Sequence, residues 1–155
     1  MSDPVRIVAY EPRHRRVWAE LNEAWIIGEG FEIEPSDRLL LDDPDGQIIS
    51  KGGQIFMAED ANGALGCVAV KPMADGGLEV TKMTVTPAAR GRGVARRLLE
   101  ACAREGRRRG APRLWLETNS RLTPALTLYR SFGFADLPRQ PSAYARSDVQ
   151  MELGL

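Results

Sequence analysis

The stretch Val85-Thr-Pro-Ala-Ala-Arg-Gly-Arg-Gly-Val-Ala95 closes a run of alternating apolar residues, turns through two glycines and opens a helix-forming segment. Glycine lets the backbone turn tightly and lets a ligand approach it closely. The first turn of a helix exposes N–H groups at the positive end of its dipole, which is an anion site. Arg90 and Arg92 add charge suited to phosphate. Local physics alone therefore predicts a phosphate or pyrophosphate cradled between Gly91 and Ala95.

Upstream, the run from Leu78 to Thr86 reads as a strand with a parity defect. Leu78 and Val80 share one parity, and Met83 and Val85 share the other. Keeping all four on one face needs an extra residue near Lys82, which is what a β-bulge supplies. The alternative is a strand buried on both faces. Downstream, Gly93 to Arg109 has a helical stripe of Val94, Leu98, Leu99, Cys102 and Ala103. Arg96, Arg97, Glu100, Arg104 and Arg107 lie opposite, with Glu100 four residues before Arg104, and Gly110 and Pro112 end the helix.

The remaining elements follow from periodicity and punctuation. Val5 to Ala9 alternates as a strand. Pro12 opens a helix to about Ile27 with Val17, Leu21, Ala24 and Trp25 at helical spacing, and His14 caps or decorates its start. Pro35 to Asp42 is a short helix stopped before Pro44, and Asp43 to Gly53 reads as a loop. Gln54–Ala58 and Leu65–Val70 are strands joined by Asn62-Gly63, a hairpin signal. Arg113–Thr118 is a strand. Thr123-Pro124 reads as an N-cap with proline behind it, opening a helix to Phe132 that Gly133 closes. Phe134–Leu137 and Asp148–Leu153 complete the set. The order implies a mixed sheet flanked by helices in a single domain, residues 1–155.

Composition narrows the function classes. Of 155 residues, 43% are hydrophobic, enough for a packed core. Twenty-one Lys plus Arg balance twenty-one Asp plus Glu, which argues against a dedicated nucleic-acid surface. Two cysteines, Cys67 and Cys102, and one histidine, His14, speak against disulfide, metal and histidine-triad chemistry. Both cysteines fall in apolar patterns and read as buried and inert. Met1-Ser-Asp-Pro-Val-Arg lacks an apolar leader core, and no apolar run approaches the roughly 20 residues of a membrane span. A soluble cytoplasmic protein is expected.

Three nucleotide-binding patterns use a glycine turn of this kind. The P-loop needs a Lys-Ser or Lys-Thr after the glycines, and none follows here. The dinucleotide fingerprint begins with Gly91-Arg-Gly93, but Arg96 stands where its third glycine belongs. The third pattern, Arg/Gln-x-x-Gly-x-Gly/Ala, is met by Arg90, Gly93 and Ala95. With Leu114-Trp-Leu-Glu-Thr-Asn119 and Ala125-Leu-Thr-Leu-Tyr-Arg-Ser-Phe-Gly-Phe134 following in order, the chain resembles the GNAT N-acetyltransferase superfamily. Lys82-Met-Thr-Val85, Leu116–Asn119 and Tyr144-Ala-Arg-Ser-Asp-Val-Gln-Met-Glu152 are similar to a bacterial subgroup of small acetyltransferases with poorly defined substrates.

The resemblance implies a fold and a set of roles. The fold would be a twisted mixed sheet of about six or seven strands with about four helices, a bulged strand and a V-shaped cofactor cleft. Acetyl-coenzyme A would be the co-substrate, with no metal. Its pantetheine arm and acetyl carbonyl would meet the backbone of Met83, Thr84 and Val85. Its pyrophosphate would meet Arg90, Gly91, Arg92, Gly93, Val94 and Ala95. Asn119 and Ala125 would line the arm, and Tyr129 would protonate the departing thiolate. Trp25, Phe31, Glu32, Glu34 and Glu117 would meet the acceptor, the early carboxylates favouring a cationic one, with core packing the plainer role for Trp25.

Amine attack on a thioester needs alignment, a polarised carbonyl, a base for the ammonium and an acid for the sulfur. Glu79 is the first candidate base and Glu117 the second. Plainer roles stay open: Tyr129 as a core aromatic, Asn119 as a turn residue, Glu79 as a paired or solvated strand carboxylate. The implied function is acetyl transfer to a primary amine of a small molecule, amino acid or peptide. The rivals are protein N-terminal or lysine acetylation and a non-catalytic acyl-coenzyme A-binding module. No nucleic acid or membrane partner is expected, and a homodimer whose partner completes the pocket is a further option.

Overall fold

Alternation in the middle of the chain produces a sheet buried on both sides. In β2 (Gln54–Asp60), Ile55 and Met57 point one way and Phe56 and Ala58 the other. In β3 (Gly63–Pro72), Cys67 and Ala69 face one apolar cluster, and Val68 and Val70 face a second. The computed structural model describes residues 4–155. Met1–Asp3, half of the stretch read as lacking a leader, lie outside the described residues.

With β1 (Arg6–Ala9), β4 (Leu78–Val85), β5 (Arg113–Thr118), β6 (Ala135–Leu137) and β7 (Val149–Gly154), the sheet has seven strands in the order β1-β2-β3-β4-β5-β7-β6. Every pairing is antiparallel except β4 with β5. Helices α1 (Arg15–Gly28) and α2 (Pro35–Asp42) cover one face, and α3 (Val94–Arg109) and α4 (Thr123–Phe132) the other. The mixed α/β expectation therefore holds. Among the described residues no helix is long and apolar enough to cross a membrane.

Local expectations hold or shift for identifiable reasons. The α3 stripe is buried as expected, and Gly110 closes the helix in the left-handed conformation with φ 72°. The expected Glu100–Arg104 pair is absent among the described ion pairs; Glu105 instead holds Arg108 and Arg109. In α1 the buried positions are Trp18, Asn22 and Ile26, one residue on from the stripe expected at Val17, Leu21 and Trp25. Trp18 sets that phase, because its indole Nε1 donates to the Leu40 carbonyl at 3.0 Å. Within the expected loop 43–53, Asp45–Ile49 forms a π-helical turn that buries Ile48. Thr123 lies inside α4, and Leu122 caps it with no side-chain hydrogen bond. His14 is buried: its Nδ1 accepts from the Glu11 N–H at 2.9 Å and its Nε2 lies 3.1 Å from Glu59.

The expected bulge is present. Ala69 pairs with Thr81 and Cys67 with Thr84, so Lys82 and Met83 oppose the single residue Val68. Leu78, Val80, Met83 and Val85 all join the core beneath α3, as the parity argument requires. Among the described residues, Lys82 alone has positive φ without being glycine, at 57°. That conformation costs a side-chain-bearing residue about 1–2 kcal/mol, so neighbouring contacts must hold it.

Two buried carboxylates are held well below their ordinary range. The Glu59 carboxylate is lowered to about 2, first by the Arg13 hydrogen bond, against the opposing effect of burial and with further help from His14. For Asp37, burial pushes upward, but hydrogen bonds from Arg146 and Lys82 outweigh it and leave the group at about 2. An unfolded carboxylate titrates near ~4, so this stabilisation is complete above about pH 4 and is lost as pH falls toward 2. Urea unfolding across that window should show stability draining away with acid. Glu59→Gln should give a less stable protein at neutral pH whose pH dependence over the same window is shallower.

Candidate functional site

The parallel pair β4–β5 meets at only two positions, Leu78 with Leu114 and Glu79 with Trp115. Beyond them the strands part, and the facing edges have no strand partner. The bulge accentuates this, since it bends β4 and re-aims its backbone. The opening runs into a cavity of about 670 Å³, within the usual range for small-molecule sites.

One end of the cavity is the glycine turn and the start of α3. Gly91 and Gly93 take φ values of 81° and 73°, and a Cβ built on either would meet nothing within 4 Å. Among the described residues, the N–H groups of positions 91–96 have no backbone acceptor. Positive φ, open space and unpaired donors together make a cradle for an anion. A pyrophosphate-bearing group fits these residues. Arg90, Gly91, Gly93, Val94 and Ala95 line the cavity, as do Met83, Thr84 and Val85 on the β4 side. Arg92 does not; its guanidinium turns to Asp60 at 3.8 Å.

The far wall comes from β5 and α4. Ala125 and Tyr129 lie along the cavity, one helical turn apart. Tyr129 is 8% exposed, packs edge-on to Phe134 at 5.8 Å and belongs to the main core while lining the cavity. Burial raises its hydroxyl pKa, so the phenol is protonated at neutral pH. Asn119 also lines the cavity. Its Nδ2 donates to the Arg146 carbonyl at 2.7 Å, and its Oδ1 accepts from the Arg121 N–H at 2.8 Å. It thus ties the end of β5 to the loop before β7.

The two candidate bases separate. Glu117 lines the cavity and accepts a hydrogen bond from the Ser142 hydroxyl. Glu79 is not among the lining residues; it lies where β4 and β5 still pair, opposite Lys71 of β3 and Trp115 of β5. Burial raises its pKa, with Lys71 opposing and the Glu117 carboxylate adding to the rise. Of the expected acceptor residues, Trp25 reaches the cavity. Phe31 packs edge-on against Trp25 at 6.4 Å without lining it, and Glu32 is exposed outside it.

Sequence reasoning assigned no role to the groups that close this end. Lys82, Tyr144 and Arg146 line the cavity, and all three converge on buried Asp37 of α2 or on one another. Lys82 was legible only as the locus of the bulge. Partners 45 and 109 residues apart in sequence leave no local signal.

Comparison with known proteins bears on the family and the fold. A family model described as an acetyltransferase (GNAT) domain matches residues 51–136. Streptothricin acetyltransferase of Streptomyces lavendulae is 35% identical over 127 residues, covering 73% of this chain and 67% of that protein. Other curated acetyltransferases align over only 52–55% of their own length. Among solved structures, an acetyltransferase of the GNAT family from Staphylococcus aureus Mu50 superposes with TM-score 0.90 at 16% identity, covering 97% of this chain and 99% of that one. PaiA N-acetyltransferase from Thermoplasma acidophilum, in complex with coenzyme A, superposes with TM-score 0.77 at 15% identity over 100% of both chains.

The cradle makes a direct prediction. Gly93→Glu forces a side chain into positive φ and sets an anion among the donors, so calorimetric titration with coenzyme A should show binding abolished in a folded variant. Arg90→Ala should weaken binding less, because the backbone donors remain.

Proposed function

Because this chain belongs to the GNAT acetyltransferase family, we propose that it transfers an acetyl group from acetyl-coenzyme A to a primary amine of a small molecule, amino acid or peptide. One observation carries the reading. A single cavity joins the anion cradle at the start of α3, the unpaired edge of β4, a protonated tyrosine and a carboxylate. The 127-residue likeness to streptothricin acetyltransferase favours a small-molecule acceptor.

Acetyl-coenzyme A, when bound, supplies a thioester whose carbonyl an amine can attack directly. The residues of this chain do the rest. N–H groups between Gly91 and Ala95 hold the pyrophosphate, and Met83 to Val85 hold the arm as an added strand would be held. Backbone donors next to the bulge polarise the carbonyl, which is worth most in a site where water is scarce. Glu117, facing the cavity, takes the proton from the acceptor ammonium. As the carbon–nitrogen bond forms and the carbon–sulfur bond breaks, the Tyr129 hydroxyl gives its proton to sulfur, and the proton that the new amide nitrogen sheds restores the phenol.

Tyr129 and Glu117 in one cavity favour an enzyme over a silent binding module. Glu79 sits outside the cavity lining, and the Glu117 carboxylate adds to the rise of its pKa. The residues 1–155 act as a single catalytic unit in this reading.

Steady-state kinetics beside calorimetry test it. Tyr129→Phe should lower kcat by about a hundredfold or somewhat less, since general acid catalysis contributes on that order. Coenzyme affinity should be nearly unchanged, because the ring's packing is kept. Full kcat in this variant, with chemistry shown to limit the rate, would reduce Tyr129 to packing. Glu117→Gln should lose most activity at neutral pH and recover in part as pH rises and free amine accumulates, whereas Glu79→Gln should have the smaller effect. The reverse ranking would return the base to Glu79.

A further inference from the structure

A lysine is an unexpected occupant of the bulge. Glycine takes φ 57° without strain, whereas Lys82 takes it against the contact between its own Cβ and backbone. Its side chain is only 3% exposed, and its ammonium lies 2.7 Å from Asp37 Oδ1 and 3.2 Å from the Tyr144 hydroxyl. The strained residue is thus anchored at its far end, across the sheet face, to α2.

Asp37 is fully buried and saturated. Its Oδ1 accepts from Lys82 Nζ and from Arg146 Nη2 at 2.6 Å. Its Oδ2 accepts from Arg146 Nη1 at 2.9 Å and from the Glu34 N–H at 2.8 Å. Arg146 also pairs with Glu34 at 3.2 Å. One carboxylate therefore joins α2, the bulge of β4 and the loop before β7. Two cations and two carboxylates balance, as a buried cluster requires.

Asp37 does not line the cavity, but Lys82 and Met83, the residues of the bulge, both do. We propose that Asp37 is a positioning residue. By gripping the Lys82 ammonium it locks the bulge in its left-handed conformation and so fixes the aim of the Met83 backbone into the cleft. The proposal rests on the acetyl-transfer reading for its catalytic consequence, though the grip on the bulge can be measured without it.

Asp37→Asn is the first variant. It keeps the side-chain shape but removes the charge that both cations share, leaving Arg146 paired with Glu34 and Lys82 with only the more distant Glu79 carboxylate. The Lys82 ammonium then has reason to leave, and the bulge loses its anchor. Amide hydrogen exchange at Met83 and Thr84 in the ligand-free protein should quicken at least about tenfold, as expected when a local opening becomes easier. With acetyl-coenzyme A and a responsive amine, kcat should fall at least about tenfold, the scale of a misplaced backbone donor. KM for acetyl-coenzyme A should change by a smaller factor than kcat, since the cradle at Gly91–Ala95 still holds the pyrophosphate when the Met83 backbone loses its aim.

The same substitution in a Lys82→Gly background separates positioning from general support. Glycine accepts φ 57° unaided, and removing both charges leaves Arg146 paired with Glu34. Adding Asp37→Asn there should change kcat and exchange by less than about threefold, which is the coupling expected of residues that act as one unit. An equal loss in both backgrounds, or wild-type exchange and kcat in Asp37→Asn alone, overturns the proposal. Should Asp37→Asn not fold by itself, the comparison of Lys82→Gly with the double variant decides it by the same threefold criterion. If the wild-type protein binds no coenzyme A and acetylates no amine, the functional reading fails, while the exchange measurements still decide whether Asp37 holds the bulge.

Discussion

Backbone N–H and C=O groups must have partners, and the parting of β4 from β5 denies the facing edges a strand partner among the described residues. A parallel pair that ran its full length would leave a closed sheet and no site. Here the ladder stops after Glu79 and Trp115, and the remaining edges face a cavity. The bulge at Lys82 and Met83 turns β4 away from its neighbour, while β5 continues straight into six-residue pairing with β7. The anion cradle, the tyrosine and the carboxylate are arranged around this one missing stretch of hydrogen bonding.

The two faces of the sheet solve different problems. Beneath α3 and α4 the packing is apolar, and Tyr129 belongs to it while also lining the cavity. Beneath α1 and α2 the apolar cluster around Trp18, Leu41 and Met57 is bordered by buried charge. Glu59 takes Arg13 and His14, and Asp37 takes Lys82 and Arg146. Isolated charges at such depth are far too costly, so each carboxylate is surrounded by donors. The charges around Asp37 are committed to one another. Arg146 also lies over the rings of Trp25 at 5.6 Å and Phe31 at 5.9 Å, the two aromatic residues that the sequence suggested for substrate.

Elements defined by repeating local patterns were legible from residues alone. Helix α2 was bounded by Pro35 and Pro44, α3 by Gly93 and Gly110, and β5 by its alternation, and each lies where expected. The bulge followed from a parity change between Val80 and Met83, because a strand has only two faces and four apolar side chains had to share one. The glycine turn was legible for a similar reason: only glycine readily adopts the φ of positions 91 and 93.

The sequence by itself thus determined the order of the elements, the bulge and the glycine turn, since each is set by residues within a few positions of one another. Tertiary structure alone decided which carboxylate faces the cavity. Glu79 and Glu117 sit on neighbouring strands with similar local patterns, and only the point at which β4 and β5 separate puts one in the wall and the other in the opening. It also decided the phase of α1, through the reach of Trp18 to Leu40, and the partners of Asp37. Charge pairing acts across space without regard to chain separation, so a carboxylate at position 37, a lysine at 82 and an arginine at 146 become one unit only once the sheet has brought them together.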